Sequence, residues 1–448
     1  MFENIDITGL SHMIHQKEVK PSEVISYFCT QAEKSSQLNA FNFLNAESAM
    51  EYAKELDKQP ITPETSALFG IPIAVKDNIC TMDMPTTCSS KMLQNFRPTF
   101  DATAVTRLRS QGAVLFGKTN MDEFGASSGS DNSIFGRVSN PYNTNISADG
   151  SAVAVAANIA PISLASDTGG SIRKPAALCN LVGYKPTRGA VSRYGLIGYS
   201  GSFDQIGVLA RSVSDAALIM TVIGGHDAKD ATSNPNFSFD ISKLEALNIK
   251  GKKIGIVDEY CTDVMSVAKK YEALGAELIK VSLPSIANCL PAYYAIAYAE
   301  ASSSLSKLDG IRFGHRSENY NDIDSLYTNS RTEGFSLETQ KQIIIGTYVL
   351  SSGNYDLYYK KARIVQAMLR EEFNSAFSKC DIVLAPSMHN DEPHQADICT
   401  APASLVGLPA VSVPDTIGFQ FIGKSFEDAD LLSFAQILER EVALKGVR

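Results

Sequence analysis

The run Asp167-Thr168-Gly169-Gly170-Ser171-Ile172-Arg173-Lys174-Pro175 sets a serine hydroxyl directly after a glycine pair. Glycine tolerates backbone angles that other residues resist, so such a pair lets the chain turn tightly and lets a substrate approach the main chain. The N–H groups of Thr168, Gly169, Gly170 and Ser171 could then converge on a developing oxyanion, the arrangement that stabilises tetrahedral intermediates in acyl transfer. Glycine pairs before serine also occur in ordinary turns, so the segment points to amide chemistry only in company with a base.

A serine hydroxyl must hand its proton to a positioned acceptor. The histidines at 12, 15, 226, 315, 389 and 394 stand in no recognisable catalytic setting. A lysine can serve if burial keeps it neutral. Lys76 fits: it closes the apolar run Phe69-Gly-Ile-Pro-Ile-Ala-Val75, which reads as a buried strand delivering one amine to a dry place, and Asp77-Asn78 supply a polar turn at its end.

Gly70-Ile-Pro-Ile-Ala-Val-Lys76-Asp-Asn, Asp167-Thr-Gly-Gly-Ser171-Ile-Arg-Lys-Pro-Ala-Ala and Lys185-Pro-Thr-Arg-Gly together resemble the amidase signature family. The resemblance implies a Ser–cis-Ser–Lys triad with Ser171 as nucleophile, Lys76 as base and a bridging serine 24 residues before the nucleophile, which is Ser147. The family's bridging loop is rich in glycine. Here it reads Asn145-Ile-Ser147-Ala-Asp149-Gly-Ser151, in a shortened stretch after Asn140-Pro141. It therefore brings a carboxylate, Asp149, toward the place of a neutral lysine, and a nearby anion favours the charged amine.

Further blocks resemble, within that family, the A subunits of glutamyl-tRNA(Gln) amidotransferases. They are Gly112-Ala-Val-Leu-Phe-Gly-Lys-Thr-Asn-Met-Asp-Glu-Phe124, Val191-Ser-Arg-Tyr-Gly-Leu196, Phe203-Asp-Gln-Ile-Gly207, Leu290-Pro-Ala-Tyr-Tyr294, Asp309-Gly-Ile-Arg312 and Tyr355-Asp-Leu-Tyr-Tyr-Lys-Lys361. This resemblance implies hydrolysis of glutamine to glutamate and ammonia through a glutamyl-enzyme ester on Ser171. Ammonia passes to the B subunit, which amidates glutamyl-tRNA(Gln), and a small C subunit, or an organellar equivalent, completes a heterotrimer. ATP and Mg are expected on the B partner, with no cofactor or metal in this chain, and tRNA is reached through that partner. The resemblance also assigns Asp397 to the substrate ammonium, Tyr293 or Tyr294 to an aromatic contact, and a place near the substrate to Ser127 and Ser128. For the substrate carboxylate the family commonly offers an arginine before an apolar run ending in glycine, whereas this chain has Lys341-Gln342-Ile-Ile-Ile-Gly346. The departures leave two alternatives: a free-standing amidase for another small amide, and a catalytically impaired scaffold subunit.

Two other motif matches fail on context. Gly112-Ala-Val-Leu-Phe-Gly117-Lys118-Thr119 satisfies a phosphate-loop pattern, but its inner residues read as a strand rather than a loop. Gly125-Ala-Ser-Ser-Gly129 satisfies a nucleophile-elbow pattern, but what precedes it, Asn120-Met-Asp-Glu-Phe124, reads as a helical turn rather than a strand.

The elements that must hold these residues alternate. Strand-like runs at 112–117, 161–166, 253–257, 276–282, 381–385 and 409–413 are separated by helical stretches such as 151–158, 212–223 and 357–376. That pattern predicts a single α/β domain over 1–448, a central mixed sheet covered by helices on both faces. A peripheral segment over about 1–60 reads as helices near Ile5–Ile14 and from Pro21, with Thr8 and Ser22 near their starts, able to pack on the core or to offer a docking face. Net charge is −9, from 40 basic and 49 acidic residues, with no dense Lys/Arg run, which argues against tight autonomous tRNA binding. No apolar stretch reads as a membrane span or a targeting segment, so the expected compartment is the cytoplasm, or a mitochondrial or plastid matrix after removal of a targeting segment. The eight cysteines form no C-x-x-C pair and suit reduced core thiols.

Overall fold

The apolar runs pair into one mixed sheet in a computed structural model that describes residues 2–260, 264–388, 397–414 and 418–444. Cys261, His389 and His394 lie outside the described residues. The strands are β1 (Phe41–Leu44), β2 (Pro72–Lys76), β3 (Val114–Thr119), β4 (Ile162–Asp167), β5 (Val182–Lys185), β6 (Gln205–Ala210), β7 (Lys253–Val257), β8 (Glu277–Val281), β9 (Ile382–Pro386), β10 (Ala410–Val413) and β11 (Phe419–Ile422). Their order across the sheet is β1-β3-β2-β4-β6-β5-β10-β11-β9-β7-β8. β2 runs parallel to β3 and β4, and β7 runs parallel to β8 and β9; the other pairs are antiparallel. Strands β2 to β6 and β9 to β11 are buried along their whole length, as strands in a sheet covered on both faces must be.

This topology positions the chemistry. Because β2 and β4 are parallel neighbours, with Val75 opposite Leu164, their carboxyl ends emerge together, carrying Lys76 and Asp167. Ligands of α/β sheets bind in crevices outside such strand ends. The antiparallel β6 starts at the same edge, Gln205 opposite Asp167, and so brings Asp204 beside the loop that follows β4.

The helical stretches appear as Gly150–Ala156, Val213–Ile223 and Tyr359–Phe377. The first two helices span Ile7–His15 and Pro21–Lys34. Thr8 and Ser22 fall inside their first turns, and the ends are satisfied otherwise: Asp6 accepts from Gly9 N at 2.7 Å, and Glu23 accepts from Lys20 N at 2.8 Å. Ile7, Leu10, Ile14, Val24, Ile25 and Phe28 are fully buried, so this segment packs on the main core rather than standing apart.

The phosphate-loop match is a strand. Val114–Thr119 is buried, and Lys118 Nζ donates inward to Ile79 O at 2.6 Å and Thr86 Oγ1 at 2.7 Å. The elbow match follows a short 3-10 turn, Glu123–Gly125, not a strand. Among the described residues, no helix is long and apolar enough to cross a membrane, and no group of three or more His, Cys, Asp or Glu is placed to hold a metal.

Candidate active site

β4 ends in Asp167, and the chain turns through Gly169 and Gly170 into the helix Arg173–Leu178. The glycines are required by close approach: a Cβ on Gly169 would strike the Tyr293 hydroxyl, and one on Gly170, whose φ is +142°, would strike Thr400. Every corner of the loop is tied. The Arg173 guanidinium pairs with both Asp167 oxygens, at 3.0 and 3.1 Å, and also donates to Thr400 O, Gln420 Oε1 and Ser404 Oγ. Burial pushes the Asp167 carboxyl up, but Arg173 and the hydrogen bonds outweigh it and hold the group below its ordinary value. Thr168 Oγ1 donates to Asp204 Oδ1 at 2.6 Å, and Thr400 Oγ1 donates to Gly169 O at 2.6 Å. Burial raises the Asp204 carboxyl to about 6 against the opposing effect of its hydrogen bonds. Ser171 is thereby held at the wall of a cavity of about 280 Å³.

Gly169, Ser171, Ser128, Tyr293 and Asp397, five of the residues expected at the site, line this one cavity, together with Ser127. Tyr294 lines it too, and its hydroxyl donates to Asp397 Oδ2 at 2.7 Å. Tyr293 stacks on Phe203 with ring centroids 5.4 Å apart, and Tyr294 stacks on Tyr298 at 5.3 Å. Lys174 Nζ reaches the other Asp397 oxygen at 2.9 Å. Gln342 lines the cavity and accepts from Tyr199 Oη at 2.8 Å, whereas Lys341 is exposed and lies 3.4 Å from Glu338 without lining the cavity itself. The residue facing the substrate in the Lys341-Gln342 pair is therefore the neutral one. Asp122 and Glu338 add two more carboxylates to the wall, and burial raises Asp122 to about 6. Tyr199, Tyr298 and Glu338 carry no motif of their own and come from remote parts of the chain, so only the fold reveals them; Lys174 sits inside the serine motif and was open to notice.

Lys76 and Ser147 are arranged differently. Lys76 Nζ lies 2.8 Å from Asp149 Oδ2, with both side chains 1% exposed, and 3.4 Å from Ser166 O. Asp149 also caps the helix Gly150–Ala156, its Oδ1 accepting from Ser151 N at 2.9 Å. The shortened loop explains the placement. Asn140 closes a tight turn by accepting from Tyr142 N and Asn143 N, and the chain then returns through a bridge of Ser147 with Ser139. Ser147 Oγ accepts from Ser130 N at 3.2 Å and lies 3.4 Å from Ser130 Oγ. The peptide bonds of the described residues are all trans. The geometry thus directs Ser147 to Ser130 and Lys76 to Asp149. Such a nucleophile loop at a strand end, beside a buried lysine and a polar, tyrosine-walled cavity, can bind a small amide and acylate a serine.

Comparison with known proteins bears on the family and the fold. The amidase family profile matches residues 23–432. The glutamyl-tRNA(Gln) amidotransferase A subunit of Caldanaerobacter subterraneus subsp. tengcongensis is 41% identical, covering 98% of this chain and 96% of its own. The A subunit of Persephonella marina is 42% identical, covering 98% and 97%. Among solved structures, the Thermotoga maritima A subunit superposes with a TM-score of 0.75 at 33% identity, over 94% of this chain and 91% of its own. The peptide amidase of Stenotrophomonas maltophilia superposes with a TM-score of 0.84 at 28% identity, over 99% and 98%. Motif, sheet and relatives converge, and the chain belongs to the amidase family, among the A subunits of glutamyl-tRNA(Gln) amidotransferase.

Proposed function

We propose that this chain is the glutamine-hydrolysing subunit of a glutamyl-tRNA(Gln) amidotransferase. The observation that carries the reading is that Ser171 and Asp397 line one cavity, so that a short amino-acid amide can meet a nucleophile at one end and an anion at the other. Ser171 Oγ attacks the side-chain carbonyl carbon of glutamine while the N–H groups of the 168–171 loop receive the oxyanion. The C–N bond breaks, ammonia leaves with the serine proton returned to it, and water then cleaves the glutamyl ester to glutamate.

In this scheme Lys76 is the base and Ser147 the relay, which requires the Ser147 hydroxyl to leave Ser130, whose backbone N–H it accepts from at 3.2 Å. A lysine in an ion pair has no lone pair to accept a proton. Moving one proton from Nζ to Asp149 Oδ2, across 2.8 Å, leaves a neutral amine beside a neutral acid without changing the net charge of the pair. The B and C subunits complete the complex; B carries ATP and Mg and holds the tRNA, which suits a chain with nine more acidic than basic residues. The cytoplasm is the compartment this reading implies.

The test is ammonia release from glutamine by the purified complex, with Ser171→Ala as control. Ammonia production that Ser171→Ala abolishes supports the proposal; no ammonia with or without glutamyl-tRNA(Gln) rejects it. The Lys76–Asp149 contact favours one second reading, a catalytically silent chain that keeps the fold and partner surfaces. Covalent capture of Ser171 by a fluorophosphonate would exclude it.

A further inference from the structure

Lys174 and Asp397 form an ion pair of 2.9 Å at the cavity wall, with side-chain exposures of 17% and 26%. Lys174 lies three residues after the nucleophile, and its backbone N–H donates to Gly170 O at 2.9 Å, so its stem is fixed to the same loop as Ser171. Among the described residues no Lys or Arg lines the cavity itself, while Asp122, Glu338 and Asp397 do. Gln342 is neutral, with its oxygen already accepting from Tyr199. The amines nearest this wall are therefore Lys174, 2.9 Å from Asp397, and the more exposed Lys341, 3.4 Å from Glu338; Lys174 is the less exposed and closer-held of the two.

We propose that Lys174 takes the carboxylate of a free α-amino acid whose ammonium is held by Asp397, the contact that the family resemblance already assigns. The inference rests on the reading that the chain hydrolyses glutamine, and it adds a specificity residue to that reaction. The physical basis is an exchange of partners. A partly exposed ion pair is weakly held, and a zwitterion brings one charge of each sign to it. Opening the Lys174–Asp397 contact and closing two new ones leaves net charge unchanged and doubles the number of charge-assisted contacts. Tyr294 Oη, bonded to Asp397 Oδ2 at 2.7 Å, keeps the carboxylate oriented while Lys174 moves. Lysine suits the exchange because its ammonium is a point charge on a flexible stem, free of the planar geometry an arginine would impose. Lys174 does not touch the scissile amide; it selects which amide is held there.

The experiment is calorimetric titration of the complex carrying Ser171→Ala, which removes hydrolysis from the readout. The ligands are glutamine and 4-aminobutanamide, which is glutamine without its carboxylate. Adding Lys174→Gln should weaken glutamine binding by about tenfold or more, the loss of one charge-assisted contact, and leave 4-aminobutanamide binding within about twofold; Lys174→Arg should recover part of the loss. Asp397→Asn should weaken both ligands. Equal effects of Lys174→Gln on the two ligands, or no effect on glutamine, would overturn the proposal, as would failure of glutamine to bind at all. Binding that depends on Lys174 in a complex whose unmutated form releases no ammonia would uphold the recognition site and reject the hydrolytic reading alone.

Discussion

The loop at 167–173 and the loop at 140–149 flank the same chemistry and are built in opposite ways. The first is buried and held from several directions at once: by its own Arg173–Asp167 pair, by Asp204 before β6, by Thr400 and Ser404 of the helix Asp397–Val406, and by Gln420 of β11. The second is exposed from Tyr142 to Ile146, closes on itself through Asn140 and Asn143, and reaches the lysine through one carboxylate. The nucleophile is therefore a property of the whole fold, whereas the state of the base depends on a single side chain. Substitution around Ser171 should cost stability through several contacts at once, and substitution at Asp149 should cost stability through one buried pair while also changing reactivity.

Arg173→Met tests the first half of that contrast most severely. It leaves the Asp167 carboxylate buried without its counter-charge, and breaking such a pair costs about 3–5 kcal/mol. Urea unfolding should show that loss; a cost below about 1 kcal/mol would mean the loop does not depend on the pair.

A smaller effect is expected of Asp204, which ties Thr168 from the neighbouring strand. Burial raises its carboxyl to about 6, above the value of about 3.9 expected in the unfolded chain, so the folded state binds the proton more tightly. The resulting stability is full below pH of about 4 and is lost as pH rises through about 6, by up to roughly 3 kcal/mol. Asp204→Asn should therefore flatten the fall in urea midpoint between those pH values; an unchanged slope would contradict the assignment.

Thr400→Val is the mildest test. It removes the donor to Gly169 O, worth about 1 kcal/mol net. Its melting temperature should fall by only about 1 °C in a domain of this length. A much larger loss would show that the loop hangs on this one bond rather than on the set.

Much of this contrast was legible in the sequence. The long apolar runs ending at Lys76 and Asp167 read as strands because burial on both faces demands continuous hydrophobicity. β5 and β6 did not, because Gly183, Lys185, Gln205 and Gly207 interrupt their apolar pattern. Gly207 is needed where the backbone of Tyr184 passes, a demand that only the paired sheet creates. At the site, the motif-bearing residues Ser171, Gly169 and Asp397 were readable, and so was the arrival of a carboxylate near Lys76. Tyr199, Tyr298 and the inward face of Gln342 were not, because they depend on which side of an element meets the cavity. Neither was the Ser147–Ser130 contact, a product of the short turn after Asn140.

The central claim is that the 2.8 Å contact with Asp149 ties up the Lys76 amine and so restrains Ser171. Asp149→Asn tests it directly, since asparagine also caps a helix and should preserve the Gly150–Ala156 start. The measurement is the rate at which a fluorophosphonate labels Ser171 at neutral pH, with Ser171→Ala as the blank. Without the carboxylate the amine is released from its ion pair, and labelling should accelerate by about tenfold or more. Labelling of the Asn variant at the same rate as the parent, or more slowly, would contradict the account.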